Sequence, residues 1–160
     1  MKVKYTIFIN RPIAEVFAFV TNLDNETRWQ PEIKSVTLEG PLQVGSTFRE
    51  VRVTFGRTYD WHFRITEFDP PHRITIDTIS GSARYRGSRL FEAVADGTQV
   101  TEIGELEMPR FLRVLDPLFS RLSQRPLRLA YGRLQQLIEA ESCQSAAPFA
   151  QQGETAVLSY

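Results

Sequence analysis

The chain has 160 residues, of which 42% are hydrophobic and 24% are charged, enough to build the core of one domain and too apolar for wholesale disorder. Its 19 lysines and arginines balance 19 aspartates and glutamates, which excludes a nucleic-acid binder that depends on excess basic charge. The single cysteine, Cys143, excludes an internal disulfide.

The first 30 residues predict one strand followed by two short helices. Apolar residues alternate with polar ones over residues 2–9, the period of a half-buried strand. Asn10 and Pro12 are typical of a helix start, and a helix is predicted over residues 12–21. A second short helix is predicted over residues 23–28. The amino-terminal residues show no signal peptide, and no run could span a bilayer, so we expect a cytoplasmic protein.

From residue 33 onward the pattern changes to consecutive strands joined by short turns. Gly40-Pro41, Pro70-Pro71 and Asp96-Gly97 are turn signals, the last a strong hairpin signal. Strands connected in this way form an antiparallel meander. The predicted strands cover residues 33–39, 46–55, 57–69, 73–80, 83–95 and 98–108.

The longest apolar-periodic segment is a helix predicted over residues 110–141, with Pro126 in its middle. The apolar stripe before Pro126 is Phe111, Leu115, Leu118, Phe119 and Leu122. The stripe after it is Leu127, Ala130, Tyr131, Leu134, Leu137 and Ile138. The two stripes lie at different angles around the helix, and proline removes one backbone hydrogen bond, so a kink is predicted. We interpret residues 1–141 as one domain and residues 142–160 as a flexible tail.

Four local patterns in this order resemble the SRPBCC superfamily, which includes START lipid-transfer domains, birch-pollen-allergen-like proteins and polyketide cyclase/dehydrase proteins. They lie at residues 9–20, 25–31, 66–71 and 96–101. The resemblance implies an α+β helix-grip fold. In that fold a curved antiparallel sheet of about six to seven strands wraps around the long C-terminal helix, and two short helices follow the first strand. It also implies an apolar cavity between sheet and helix.

Aromatic and aliphatic residues on predicted inward faces are the candidates for the cavity wall, since rigid rings suit the walls of a site for planar ligands. The same residues could instead fill an ordinary core. The candidates are Tyr59, Trp61, Phe63, Ile65, Ile76, Tyr85, Phe91, Phe111, Leu115, Leu118, Phe119 and Leu122. The helix before Pro126 is interpreted as a lid over the cavity, and the helix after it as core.

Candidate catalytic groups are few. Tyr85 and Arg89 share one face of a strand, and an inward face would let them orient a carbonyl or an acid; an outward face is the open alternative. His62 is the candidate acid or base. Neither His62 nor His72 lies at metal-ligand spacing, so we predict no metal site. No nucleophile elbow or glycine-rich loop is present, and no cofactor is expected.

Three functions are compatible with these observations. The first is binding of a small hydrophobic or aromatic molecule, lipid- or polyketide-like, without chemistry. The second is an enzyme that resembles polyketide cyclases and dehydratases and acts on a ligand in the same cavity. The third is an accessory protein acting through its surface or at a membrane, with residues 111–119 as an exposed apolar patch. We expect no nucleic-acid partner and no membrane contact, and we leave monomer and homodimer open.

Overall fold

A computed structural model describes residues 1–54, 56–107 and 116–145; for residues 116–123 and 141–145 it describes the backbone alone. The strands are β1 Lys2–Ile9, β2 Ile33–Glu39, β3 Thr47–Thr54, β4 Arg57–Asp69, β5 Arg73–Ser80, β6 Tyr85–Val94 and β7 Gly97–Leu106. The helices are α1 Ile13–Thr21, α2 Glu26–Trp29 and α3 Asp116–Ser145, with a 3₁₀ turn at Leu23–Asn25. The strands agree with the predicted ones to within two residues at each end.

The strands form one antiparallel sheet in the order β1-β7-β6-β5-β4-β3-β2. Successive strands from β2 to β7 are neighbours, as a meander requires, and β1 joins the far edge by pairing with β7. The two short helices therefore connect the two opposite edges of the sheet. This arrangement, together with the long C-terminal helix, confirms the predicted α+β helix-grip fold.

The connection between β1 and β2 is folded by local capping and by burial of one helix face. The apolar face of α1 buries Val16, Phe17 and Val20. The side chain of Asn22 then accepts a hydrogen bond from the backbone N–H of Asp24, at 3.1 Å, and starts the 3₁₀ turn. The single short helix predicted over residues 23–28 is thus a 3₁₀ turn followed by α2.

The inward face of β4 carries the large apolar residues that the alternation predicted. Phe63 and Ile65 are buried, whereas Asp60, His62 and Arg64 on the opposite face are exposed. The pairing with β5 shifts register between Ile65 and Glu67, a bulge that re-aims the following residues.

Helix α3 continues through Pro126 and extends four residues beyond its predicted end, to Ser145. Its buried face in the second half consists of Ala130, Tyr131, Leu134 and Ile138, at helical spacing. The Tyr131 ring is 5.4 Å from the ring of Tyr5 on β1. It is also 5.2 Å from the ring of Trp29 on α2. Tyr131 therefore joins the helix to both the sheet edge and α2. The kink at Pro126 stays a prediction.

Within the described ranges, none of the helices combines the length and the apolar character that crossing a membrane would require.

Candidate ligand cavity

A cavity of about 420 Å³ lies between the inward face of the sheet, the segment from α1 to α2, and the second half of α3. Its volume lies within the range of roughly 300–1,000 Å³ that small-molecule sites occupy. The apolar lining consists of Met1, Val3, Val20, Leu23, Trp29, Phe48, Trp61, Phe63, Ile74, Ile76, Gly87, Gly104, Leu106, Pro126, Leu127 and Ala130. The polar lining consists of Glu26, Gln30, Glu32, Glu50, Arg52, Thr54, Tyr85, Arg89, Glu102 and Tyr131.

Aromatic rings from neighbouring inward positions cover one part of the wall. The rings of Trp61 and Phe63, two residues apart on β4, are parallel with centroids 5.8 Å apart. Tyr85 on β6 meets Phe63 edge to face at 6.3 Å, a favourable arrangement of aromatic quadrupoles. This wall offers flat apolar surfaces to a ligand.

Two glycines allow Tyr85 to lie flat against the sheet. Gly87 on β6 and Gly104 on β7 are directly paired across the two strands. A Cβ atom at Gly87 would lie 2.8 Å from Cε1 of Tyr85, closer than real Cβ atoms approach another atom. A Cβ at Gly104 would lie 3.0 Å from the Tyr85 hydroxyl oxygen. Because neither glycine has a side chain, the Tyr85 phenol occupies the space beside the cavity that a Cβ atom at either position would need.

A network of buried charges is centred on Arg89. Its Nε donates to Oε2 of Glu102 at 2.9 Å, and its Nη1 donates to Oε1 of Glu26 at 2.5 Å. The guanidinium also lies over the Trp29 ring, with Cζ 5.1 Å from the centroid. Side-chain exposure is only 18% for Arg89 and 5% for Glu26, so removing either partner would leave a buried charge uncompensated.

Two tyrosines share the Glu102 carboxylate with Arg89. The Tyr131 hydroxyl donates to Oε2 at 2.6 Å, whereas the Tyr85 hydroxyl donates to Oε1 at a long 3.4 Å. The side chain of Gln30 donates to the other oxygen of Glu26, Oε2. Strands β6 and β7, α2 and α3 thus meet in one hydrogen-bonded cluster at the cavity wall.

Burial changes the protonation of this cluster. Loss of solvent raises the pKa of Glu26 despite the opposing effect of Arg89, and nearby Glu50 and Glu102 raise it further. Burial lowers the pKa of Arg89, but the Glu26 and Glu102 carboxylates outweigh that effect and raise it well above its ordinary value. Burial and Glu102 raise the pKa of both Tyr85 and Tyr131. Arg89 is therefore a permanent cation, and Glu26 holds a proton more readily than an ordinary glutamate does.

A second ion pair lies nearby on β3, where Glu50 and Arg52 share the inward face with Phe48. Arg52 Nε donates to Oε1 of Glu50 at 2.6 Å. Glu50 is almost fully buried, with 8% of its side chain exposed, whereas 36% of Arg52 is exposed. Oε2 of Glu50 accepts no hydrogen bond from any residue in the described ranges.

The structure brings part of the predicted cavity set together and separates the rest. Trp61, Phe63, Ile76 and Tyr85 line the cavity, as does the catalytic candidate Arg89. Tyr85 and Arg89 lie on the inward face of β6, one of the two orientations that the sequence left open.

Three predicted residues lie on the expected side of the sheet but away from the cavity. Ile65 is fully buried in the core, and Phe91 packs edge to face on Phe17 of α1 at 5.1 Å. Tyr59 is only partly buried and does not reach the lining. Ile65 and Phe91 lie at the end of the inward face that α1 covers. Tyr59 lies near the start of β4, beyond the cavity.

The structure places His62 on the outer face of the sheet, with 52% of its side chain exposed and Nε2 3.9 Å from Oδ1 of Asp60. It does not face the cavity, so it is removed from the candidate acid–base groups. Phe111 and Leu115 lie outside the described residues, as do the side chains of Leu118, Phe119 and Leu122. The predicted lid therefore stays a prediction.

The second half of α3 contributes to the cavity wall as well as to the core. Pro126, Leu127, Ala130 and Tyr131 line the cavity, so the predicted division between a lid before the proline and core after it is too simple. The first turn and a half after Pro126 forms cavity wall, and the core contacts continue through Leu134 and Ile138.

Sequence reasoning missed Glu26, Glu50, Arg52 and Glu102. A signal for the strand residues was present: Glu50 follows Phe48, and Glu102 follows Val100, at the period-two spacing of an inward face. A charged residue at such a position must be buried and paired, and buried charged residues are candidates for functional sites. Glu26 carried no such signal because α2 is too short to show a periodic pattern.

Among the described residues, no group of three histidine, cysteine or carboxylate side chains is arranged to hold a metal ion.

The chain matches the family described as "Polyketide cyclase / dehydrase and lipid transport" over residues 1–139. A comparison with curated proteins finds no relative of similar sequence.

Solved structures of low sequence identity share the fold. The protein TTHA0849 from Thermus thermophilus is 23% identical, with a TM-score of 0.76 over 89% of this chain and 99% of that one. A START superfamily protein from Mycobacterium smegmatis is 15% identical, with a TM-score of 0.73 over 88% and 98%. StfQ, a di-domain ARO/CYC from the steffimycin biosynthetic pathway, is 18% identical, with a TM-score of 0.68 over 89% and 46%. The sequence match, the sheet order and the cavity agree: the chain belongs to the polyketide cyclase/dehydrase and lipid transport family of the SRPBCC superfamily, and it has the ligand-binding helix-grip fold.

Proposed function

We propose that this protein binds a small hydrophobic or aromatic molecule, lipid- or polyketide-like, in the cavity between the sheet and α3. One observation carries the proposal: a cavity of about 420 Å³ with mostly apolar walls inside a chain of only 160 residues. An unfilled apolar space costs stability through lost packing, so a retained cavity of this size points to an occupant.

The stacked rings of Trp61 and Phe63 support a ligand with a flat or extended apolar body. The family description, which names polyketide cyclases and lipid transport, supports the same chemical class.

The direct test is native mass spectrometry of the protein purified from its host, followed by denaturation to identify any released molecule. We expect a mass above that of the polypeptide, belonging to an apolar small molecule. A folded, ligand-free protein that also fails to bind a panel of apolar fluorophores would contradict the proposal.

A cavity-filling substitution gives an independent test. Ile76→Trp adds a ring inside the cavity, whereas Ile79→Trp adds the same ring at an exposed position of the same strand. We expect Ile76→Trp to abolish ligand uptake and Ile79→Trp to retain it, with circular dichroism verifying the fold of each. Leu127→Trp, on α3, repeats the test if Ile76→Trp does not fold.

The second candidate function is a cyclase- or dehydratase-type reaction in the same cavity. The observation that favours it is the convergence of ionisable side chains on an apolar space. Glu26, whose pKa is raised by burial, is the candidate proton donor, and Arg52 is a candidate to polarise a carbonyl. The test is incubation with a linear poly-β-ketone thioester, with cyclised product measured by chromatography and mass spectrometry. Product formation by wild type but not by Glu26→Gln would favour the enzyme; no product above background would favour binding alone.

The third hypothesis, an accessory protein acting through its surface or at a membrane, depends on residues 111–119. Residues 111–115 lie outside the described part of the chain, and of residues 116–119 only the backbone is described, so this hypothesis stays a prediction.

A further inference from the structure

The positive groups in the cavity wall are matched by at least as many carboxylates. The described lining includes four carboxylates, Glu26, Glu32, Glu50 and Glu102, and two guanidiniums, Arg52 and Arg89. The amino group of Met1 donates to the backbone carbonyl of Leu106 at 2.7 Å and adds one positive charge nearby. With Glu26 protonated, three carboxylates still match these three positive charges, so the wall holds no excess of positive charge.

Each guanidinium is already neutralised by a carboxylate. Arg89 is held between Glu26 and Glu102, and Arg52 is paired with Glu50. Some of their N–H groups remain able to donate to a neutral oxygen, such as a carbonyl. A ligand carboxylate, however, would add a further negative charge to a low-dielectric space in which the positive charges are already matched. Burying such an unmatched charge is strongly unfavourable.

Hydrogen-bond acceptors are also available in the wall. Oε2 of Glu50 has no donor among the described residues, and Oε1 of Glu102 receives only the 3.4 Å contact from Tyr85. At that distance a hydrogen bond is weak. A donor group on a ligand would therefore meet carboxylate oxygens that are unused or poorly used, and charge-assisted hydrogen bonds are the strong ones.

Building on the proposed binding function, we propose that the cavity selects hydrophobic ligands whose polar group is a hydroxyl or an amine and discriminates against carboxylic acids. The selectivity resides in the acidic wall formed by Glu50 and Glu102. Arg89 is then not the partner of a ligand acid, one of the roles that its inward face suggested, because its charge is already matched inside the protein.

The test uses four probes with one apolar body: 9-methylanthracene, 9-anthracenemethanol, 9-(aminomethyl)anthracene and 9-anthracenecarboxylic acid. Affinities are measured at pH 7 by the change in anthracene fluorescence. We expect the alcohol or the amine to bind tightest and the acid to bind at least about tenfold weaker than the alcohol, which corresponds to 1.4 kcal/mol. The ratio of alcohol to amine affinity shows which of the two donor groups the wall prefers.

Glu50→Gln tests whether the acidic wall is the cause. This substitution removes one negative charge while Arg52, which is partly exposed, can still be solvated. We expect Glu50→Gln to reduce the ratio of alcohol affinity to acid affinity several-fold and to weaken binding of the amine. Glu92→Gln, an exposed position on β6, is the matched control and should leave all four affinities unchanged.

Failure of the selectivity and failure of the binding function are separable. The proposed selectivity is wrong if the acid binds as tightly as the alcohol, or if the alcohol binds no better than 9-methylanthracene. In either case the cavity still binds ligands. If none of the four probes binds to the folded protein, the binding function itself is overturned. A discrimination that Glu50→Gln leaves unchanged would contradict the acidic wall as its source.

Discussion

The phenol ring of Tyr85 lies directly against Gly87, in the space that a Cβ atom at residue 87 would occupy. The paired glycine on β7, Gly104, leaves room for the Tyr85 hydroxyl in the same way. The absence of a Cβ atom at these two glycines thus lets Tyr85 lie against the sheet, with its hydroxyl 3.4 Å from Oε1 of Glu102.

Gly87→Ala should displace Tyr85, because the new methyl group would lie 2.8 Å from its ring. We expect a loss of roughly 1–3 kcal/mol in the free energy of unfolding, measured with urea, as for other overpacking substitutions. Gly132→Ala is the control: its Cβ would meet no other described atom within 4 Å. That control should be neutral or stabilising by up to about 1 kcal/mol, since alanine favours helix.

A double-mutant cycle identifies the cause of the Gly87→Ala effect. In a Tyr85→Ala background the ring is absent, so adding Gly87→Ala should cost much less than it does alone. Equal costs in both backgrounds would show that the glycine is needed for backbone reasons instead.

Arg89→Met should be strongly destabilising, because it leaves Glu26 and Glu102 buried without their common cation. We expect a loss of roughly 3–5 kcal/mol in the free energy of unfolding at pH 7. Arg89→Lys should recover only part of this loss, since one ammonium does not reproduce the fork that contacts both carboxylates. Arg49→Met, which removes an exposed partner of Asp60, should have little effect.

Two tyrosine-to-phenylalanine substitutions compare hydrogen bonds to the same carboxylate. Tyr131→Phe removes the 2.6 Å bond to Glu102 and should cost roughly 1.5–3 kcal/mol of unfolding free energy. Tyr85→Phe removes only the 3.4 Å contact and should cost clearly less. If the two variants are equally stable by urea unfolding, the difference in contact length has no energetic meaning.

Glu26 should make the stability of the wild-type protein fall as pH rises. Burial raises its pKa above the ordinary value of 4.5, so the folded protein holds this proton more tightly than the unfolded chain. The resulting stabilisation is complete below pH 4.5 and is lost as pH rises through the folded-state pKa. Measured against Glu26→Gln, the unfolding free energy of the wild type should therefore decrease over this range. Glu92→Gln, at an exposed position, controls for the change of charge alone, and an increase with pH would contradict the prediction.

Pro126→Ala should straighten α3 and change ligand entry more than the fold. Pro126 is inside the helix and lines the cavity, and it cannot donate a backbone hydrogen bond. We expect a more stable helix, by up to about 3 kcal/mol, and a changed association rate for an anthracene probe in stopped-flow fluorescence. Arg128→Ala, at an exposed position two residues on, should leave the rate unchanged. A crystal structure of Pro126→Ala with the same helix geometry would rule out the kink.

Most of the fold could be predicted from the sequence because its signals are local. The strands follow from period-two alternation, and turns such as Pro70-Pro71 and Asp96-Gly97 mark where they end. The helix from Asp116 to Ser145 follows from apolar spacing by threes and fours. Such patterns depend on a few neighbouring residues, so they survive without knowledge of the rest of the chain.

The site could be predicted only in part. Trp61, Phe63 and Tyr85 were found because inward aromatic residues are visible in an alternating pattern. Ile65 and Phe91 share that pattern and are core instead, since α1 covers one end of the inward face and leaves the other end open. Local alternation distinguishes the two faces of a strand but not the covered part of a face from the uncovered part.

The sequence by itself determined the strands, the helices and the membership of a family with a cavity between sheet and helix. Only the tertiary structure decided what that cavity offers chemically. Glu26, Arg89, Glu102 and Tyr131 lie far apart along the chain, and sheet pairing and helix docking bring them into contact. Their protonation and pairing arise from shared burial, a property of distances in space to which spacing along the chain gives no access.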